Sequence, residues 1–343
     1  MGSVKDLKIL REPTENETGL GRFVFSDRYS VFDWGEMPDR IEDKGKAICV
    51  VAAYFFETLE SYGINSHYLG IVENGKPKKI SEINEPSNEM EFRLVRVVRP
   101  ELKNDGYDYA IFKNLNSNFL IPLEVIYRNS VPEGSSLLKR LRSGEAKPGD
   151  FGLQSIPEPN TRLSKPILDF STKLESTDRY ISEVEAREIC GLTDEEFESL
   201  KNITLHINRI ISETAEKLGL YNEDGKFEFA LDEDRNLILV DVLGTLDECR
   251  FTYEGIPMSK EILRIFYRNT EWYKEIEKAK REDRINWRQL VNLEPPRLPE
   301  EWKNVVSNLY RSYANEVTGK RFFSAPPLRE VLSEIKRLLK DLS

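Results

Sequence analysis

Residues 226–242 read KFEFALDEDRNLILVDV, two apolar arms about the polar quartet Asp232, Glu233, Asp234 and Arg235. Apolar residues flanking a short polar turn predict a β-hairpin, which commits this part of the chain to a sheet. Three charges, Lys226, Glu228 and Asp241, interrupt the apolar arms. If the quartet is the turn, Leu231 pairs with Asn236, Lys226 faces Asp241 and Glu228 faces Leu239. Side chains alternate along a strand, so the three charges would then share one face. Phe227, Phe229, Ile238 and Val240 would share the other. Two readings fit. One is a solvated face with a Lys–Asp cross-strand pair, worth under about 1 kcal/mol. The other is a pair of carboxylates whose repulsion a divalent cation relieves, as where magnesium is held together with substrate phosphates.

The chain of 343 residues can bury one large domain or two lobes. Residues 21–34, GRFVFSDRYSVFDW, are β-like, and 46–62 predict a helix packed by Val50, Val51, Tyr54, Phe55 and Leu59. Gly63 is its expected stop. Strand-like segments follow at 66–73, 91–99 and 107–113, then the long apolar strand FLIPLEVIYRN at 119–129. Residues 143–166, rich in glycine and proline, predict an exposed loop. Ser182 with Glu185 and Thr193 with Glu196 form capping-box patterns, and the second opens a predicted helix at 194–218 that Gly219 ends. Further helices are predicted near 259–283, 299–316 and 326–342. The expected class is α+β: a sheet-rich N-terminal lobe over 1–122, then a mixed lobe over 123–343 with the hairpin and the C-terminal helices.

Composition narrows the chemistry. Only His67 and His206 are present, both expected to be structural or at the surface, so a histidine-rich zinc site and a Ser-His-Asp triad are disfavoured. Cys49, Cys190 and Cys249 are scattered without metal-type spacing, which fits reduced thiols in a cytoplasm. A net charge of −10 argues against a nucleic-acid backbone as the main partner. The apolar run AICVVAAYFF at 47–56 is too short to span a membrane, and the charged opening MGSVKDLKIL lacks a secretory pattern. Any catalysis must use carboxylates, lysines, arginines and a bound cofactor.

Other segments carry suitable groups. IYRNSVPEGSSLLKRL at 126–141 sets Arg128 at a strand end ahead of Gly134, Ser135 and Ser136. Exposed backbone N–H groups, hydroxyls and a guanidinium suit phosphate or carboxylate, although the same stretch also reads as a polar loop with a basic helix start. STKLESTDRYIS at 171–182 adds Lys173, Glu175 and Asp178, and VLGTLDECRF at 242–251 adds Asp247 and Arg250. Together they describe a site for anionic substrates with a metal and no histidine base.

In this order the segments resemble the SAICAR synthetase family of purine biosynthesis. The resemblance runs through GSVKDL (2–7), SDRYSVFDWGEMPDRIEDKG (26–45), IPLEVIYRNSVPEGSSLLKR (121–140), STKLESTDRYIS, KFEF (226–229) and VDVLGTLDECRF, covering the chain to about residue 270. SVFDWGEMPDRI is similar to the archaeal branch. The resemblance implies a two-lobed α+β fold, distantly kinase-like or ATP-grasp-like, with an ATP cleft between the lobes. It implies ATP-dependent ligation of L-aspartate to the carboxylated aminoimidazole ribonucleotide CAIR, through an acyl phosphate. It places Lys5 in the nucleotide loop and Glu124 on the adenine-side strand. Glu228 and Asp241 match the carboxylates that hold magnesium on the ATP phosphates, with Lys226 the neighbouring lysine. Arg128, Ser135, Asp247 and Arg250 match ribonucleotide-binding positions, Lys173 and Asp178 fall at the aspartate-side pocket, and Arg264 matches a helix arginine. A cytoplasmic homodimer acting on small molecules, with neither nucleic acid nor membrane, is the implied setting.

The chain departs from the family pattern at several points. Val242 stands where many members have glutamate, Leu246 where they have proline, and Leu7 where an aromatic is usual. These departures leave room for an amide ligase of the same fold with another carboxylate and amine, or for an inactive nucleotide-binding relative.

Overall fold

A computed structural model describes residues 4–104, 106–283 and 286–342. Its elements in chain order begin with β1 (Lys5–Arg11), β2 (Gly19–Phe25), α1 (Lys44–Ser61), β3 (Tyr68–Glu73), β4 (Lys76–Lys78) and β5 (Glu89–Leu94). Then come β6 (Glu101–Lys103), β7 (Gly106–Asp108), β8 (Phe119–Val131), α2 (Ser136–Ser143), β9 (Thr161–Thr172), β10 (Tyr180–Ile181), α3 (Glu183–Ile189) and α4 (Asp194–Lys217). The chain finishes with β11 (Tyr221–Leu231), β12 (Leu237–Val240), β13 (Cys249–Tyr253), β14 (Ile256–Pro257), α5 (Glu261–Arg268), α6 (Glu271–Glu282), α7 (Glu300–Thr318) and α8 (Leu328–Asp341).

Two antiparallel sheets organise the molecule. The first has the order β1-β2-β5-β3-β4, and α1 packs on it, with the Phe56 ring stacked 5.3 Å from that of Tyr68 on β3. The second has the order β10-β9-β8-β11-β13-β14, with β12 paired to β11. Strand alternation divides the second sheet into two unlike faces. Val125, Tyr127, Phe170 and Phe227 turn to one side, where α4 covers them; the rings of Phe170 and Phe197 lie 5.5 Å apart. Glu124, Arg128, Asp169, Ser171, Asp224, Lys226 and Glu228 turn to the other.

Helix ends were legible because their caps are local chemistry. Thr193 accepts from the Glu196 N–H while Glu196 reaches back to the Thr193 N–H, the full box expected from the sequence. Ser182 accepts from the Glu185 N–H and starts α3. Several other expectations need correction. The β-like run at 21–34 is strand only to Phe25; Phe32 and Asp33 take positive φ in an irregular connection. The strand expected over 107–113 ends at Asp108 and passes into a 3-10 turn at Ala110–Asn114. The predicted loop at 143–166 ends early, because β9 starts at Thr161 and pairs along β8. The helix expected over 259–283 breaks at Asn269–Thr270, where the Thr270 side chain caps α6.

The hairpin forms, but one residue out of the expected register. Leu231 pairs with Leu237 and Glu228 with Val240, so the connection is Asp232–Asn236. Asp232 Oδ1 accepts from the N–H groups of Asp234 and Asn236, and Arg235 takes the left-handed conformation that absorbs the extra residue. Val240 therefore shares the Glu228 side, and Asp241 lies past the end of the ladder.

Candidate active site

The charges that broke the hairpin's apolar pattern meet others on the same sheet face. Lys226 Nζ lies 2.7 Å from Glu124 Oε1 on the neighbouring strand, not against Asp241 as the expected register required. Lys173 Nζ lies 3.1 Å from the same Glu124 oxygen and 2.7 Å from Glu228 Oε1. Ser171 Oγ donates to Glu124 Oε2 at 3.2 Å. Glu124, expected at the adenine side, is thus the acid that two lysines share. Burial works against its ionisation, but Lys226 and Lys173 outweigh that and hold its carboxyl below the usual range. Lys173 is raised in turn, since Glu228 and Glu124 more than offset its burial. Asp178 moves the other way, raised by burial and by the charge of Glu124.

Asp241 reaches this cluster by leaving the strand. Its φ of 65° is a left-handed conformation that favours glycine. Its side chain pairs with Lys5 from β1, whose ammonium also lies 4.5 Å from the Phe23 ring centroid. Burial lowers Lys5 to about 8, partly opposed by the charges of Glu248 and Glu228. Of the GSVKDL stretch, Gly2 and Ser3 lie outside the described residues.

A second cluster adjoins the first. Arg128 is only 2% exposed and donates to Asp169 Oδ2 from Nε and Nη2, to Asp224 Oδ2 from Nη1 and to Ser136 Oγ from Nη2. Asp224 also takes two bonds from Arg250, of which Nε to Oδ1 is 2.6 Å. Arg250 is partly exposed, so it can still meet a ligand; Arg128 gives four of its five N–H groups to Asp169, Asp224 and Ser136 and fixes the acids around it. Ser135, expected at the ribonucleotide, precedes α2 and has a buried Oγ with no hydrogen-bond partner among the described residues. Asp247 is buried, with Lys44 Nζ 2.7 Å from Oδ2 and the Tyr310 hydroxyl 2.5 Å from Oδ1. Arg264, on α5, pairs with Glu261 at 2.8 Å.

Sequence reasoning missed Asp169, Asp224, Lys44 and Glu248. Asp224 was findable, because strand alternation puts it two residues before Lys226 on the same face. Glu248 acts electrostatically on Lys5, Lys226 and Lys260, and nothing in its local sequence signals that. The two carboxylates matched to magnesium, Glu228 and Asp241, each hold a lysine, and the described residues contain no cluster of three metal-binding side chains. Two carboxylates suit a magnesium ion that completes its shell with substrate phosphates and water.

Comparison with known proteins bears on the family and the fold. The family model described as SAICAR synthetase matches residues 13–280. A protein of Archaeoglobus fulgidus named putative phosphoribosylaminoimidazole-succinocarboxamide synthase is 58% identical over 340 residues, covering 99% of this chain and 100% of its own length. A synthase of that name from Thermoplasma volcanium is 33% identical, over 88% of this chain and 93% of its own. Among solved structures, the SAICAR-synthase of Saccharomyces cerevisiae complexed with SAICAR superposes with a TM-score of 0.64 at 20% identity, covering 94% of this chain and 95% of that one. A SAICAR synthetase in complex with ADP gives 0.59 at 19% identity, covering 93% and 97%. The match to the family model over most of the chain and the identity to the archaeal relatives place this protein in the SAICAR synthetase family.

Proposed function

We propose that this chain joins L-aspartate to CAIR with hydrolysis of ATP to ADP and phosphate, yielding SAICAR. The observation that carries the reading is the gathering of Lys5, Lys173 and Lys226 with Glu124, Glu228 and Asp241, beside the Asp224–Arg250 pair. That is a surface suited to several anionic groups at once.

Phosphoryl transfer needs in-line placement and neutralised charge more than a strong base. A carboxylate oxygen of CAIR bonds to the γ-phosphorus of ATP as the bond to the ADP oxygen breaks. The aspartate amine then attacks the acyl carbon, phosphate leaves with the electron pair of the broken C–O bond, and the leaving phosphate or Asp178 takes the proton that the nitrogen sheds. Lys5 approaches from the first sheet, while Lys173 and Lys226 are held by Glu124 in fixed positions on the second. Their positive charge favours the developing negative charge on the transferring group. Arg250, anchored by Asp224, holds the ribonucleotide together with Arg128, Ser135 and Asp247. Lys173 and Asp178 lie on the aspartate side, and Arg264 is a further substrate-binding residue. Glu228 and Asp241 would hold magnesium, which neutralises phosphate charge when bound.

The reading includes the lobes at 1–122 and 123–343 flanking the nucleotide, a cytoplasmic location and a homodimer. No helix among the described residues is long and apolar enough to cross a membrane. The test is a turnover assay of the purified protein with ATP, magnesium, CAIR and L-aspartate. SAICAR and ADP in equal amounts are expected, with neither formed when CAIR is omitted. ATP binding without product from these substrates would reject the assignment.

A further inference from the structure

We propose that helix α7 is a working part of this site, with Tyr310 and Tyr313 as positioning residues for the 241–250 segment. The inference rests on the functional reading above. It adds a role for a helix that lies beyond residues 13–280, the span of the family match.

The 241–250 segment carries Asp241, Asp247 and Arg250, yet most of it has no strand partner. It leaves the sheet after Val240 and rejoins it at Cys249. Between these points its own bonds are few: Cys249 N–H to Thr245 O at 3.0 Å, and Glu248 N–H to Thr245 Oγ1 at 3.3 Å. An irregular segment held so lightly needs outside contacts to keep its side chains in register.

The Lys260 N–H supplies one, to Leu246 O at 3.3 Å, and the side-chain contacts on Gly244 and Asp247 come from α7 and α1. The Tyr313 hydroxyl donates to Gly244 O at 2.9 Å, and the Tyr310 hydroxyl donates to Asp247 Oδ1 at 2.5 Å. The two tyrosines are one helical turn apart, so a single helix face meets the segment at both points. Both hydroxyls are buried, and burial raises both phenols well above their ordinary range, so they remain donors.

The same helix also fixes the other partner of Asp247. Ser307 Oγ donates to Glu42 O at 2.6 Å, and Arg311 Nε to Asp43 Oδ2 at 2.8 Å, immediately before Lys44. Asp247 therefore has both oxygens set through one helix: directly by Tyr310, and through Lys44 by the grip on residues 42–43. The lone pairs left on that carboxylate point where these two bonds leave them, and Arg250 follows three residues later. Asp241, at the far end of the segment, is held instead by Lys5 and the first sheet. Loss of the α7 contacts should therefore weaken ribonucleotide binding and spare the nucleotide.

The test compares wild type with Tyr310→Phe and Tyr313→Phe, each of which removes one oxygen. Calorimetry with CAIR alone should show at least fivefold weaker binding for Tyr310→Phe, and the KM for CAIR should rise with it. The KM for ATP should stay within twofold. Equal rises in both KM values, or a fall in melting temperature with unchanged CAIR affinity, would reduce α7 to general support and overturn the proposal. Amide exchange needs no substrate and keeps the test open if CAIR proves not to be the ligand. Amides of 242–249 should exchange at least tenfold faster in the Tyr310→Phe and Tyr313→Phe double variant, with β8 unchanged; equal protection would overturn the proposal. A wild type that makes no SAICAR, with exchange behaving as expected, would reject the substrate assignment alone.

Discussion

The imidazole Nε2 of His67 lies 3.0 Å from the backbone carbonyl oxygen of Asp241. A carbonyl can only accept, so the ring proton sits on Nε2. His67 is 3% exposed, with Phe92, Phe56 and Phe23 ring centroids at 4.6, 5.5 and 6.0 Å. Its backbone N–H also donates to Leu239 O, which ties the first sheet to the end of the hairpin. The left-handed backbone of Asp241 thus depends on a neutral histidine that approaches from the other sheet.

His67→Phe should preserve the packing but release the Asp241 carbonyl, lowering kcat/KM by about 10–100-fold, the usual cost of losing a group that orients a ligand. His67→Gln, whose amide N–H can reach the same oxygen, should recover most of the loss. Steady-state kinetics of the two variants decide it; equal defects would show that packing alone matters.

Burial pushes His67 down to about 3, against 6.5 when unfolded. Between those values the unfolded chain binds the extra proton, so stability rises with pH across this window. The contribution is complete above about pH 6.5 and fades as pH falls toward 3. Denaturant titrations from pH 3 to 7 should show a shallower slope for His67→Phe than for wild type.

Lys44, 1% exposed, is the only buried lysine among the described residues, and its partner is Asp247. Replacing Lys44 by Met leaves a buried carboxylate with one bond lost, a change that costs about 3–5 kcal/mol where a buried pair is broken. Chemical denaturation measures the cost. Adding Asp247→Asn to Lys44→Met should restore part of the stability, because the uncompensated charge is then gone.

Glu124 holds two lysines, so Lys226→Met should leave Glu124 paired with Lys173 and the fold intact. Turnover should nevertheless fall by about 100–1,000-fold, the scale of losing one electrostatic stabiliser of a transition state. A variant that keeps wild-type turnover would remove Lys226 from the mechanism.

Gly244 has a φ of 69°, and a Cβ there would sit 2.1 Å from the Phe55 ring. Gly244→Ala must displace either the segment or α1. A loss of at least about 1–3 kcal/mol is expected, as for overpacked cores. Thermal unfolding measures it, and the Gly244→Ala, Phe55→Ala pair should recover part of the loss.

The sequence carried the elements whose signals are local. The helix at 194–218 has both its cap and its stop written in adjacent residues, the helix at 46–62 has its stop at Gly63, and the long apolar strand at 119–129 is buried along nearly its whole length. Register was harder to read. Asp-Glu-Asp-Arg suits a tight turn, but Arg235 bonds Glu196 on α4 and the carbonyls of Leu115, Asn116 and Gly191. Those distant contacts favour a longer turn and shift the hairpin by one residue. β9 was hidden because Pro166 and a run of polar residues conceal a strand whose pairing depends on β8.

The site divides in the same way. The charge pattern of the hairpin and the Asp–Arg segment picked out Lys226, Glu228, Asp241, Asp247 and Arg250 as groups of interest. It could not show that Lys226 turns to Glu124, because that contact joins residues 102 positions apart. Lys44 and Tyr310 were invisible for the same reason, being functional only through what they hold.

Strand β1 is one of the two edge strands of its sheet, paired to β2 alone. It can separate without breaking any other ladder, so Lys5 rides on a margin of that sheet and not on its interior. One ion pair, Lys5 with Asp241, therefore ties a margin of the first sheet to the end of the hairpin in the second, so a shift of that margin alone moves a charge at the site while both sheets keep their internal pairing.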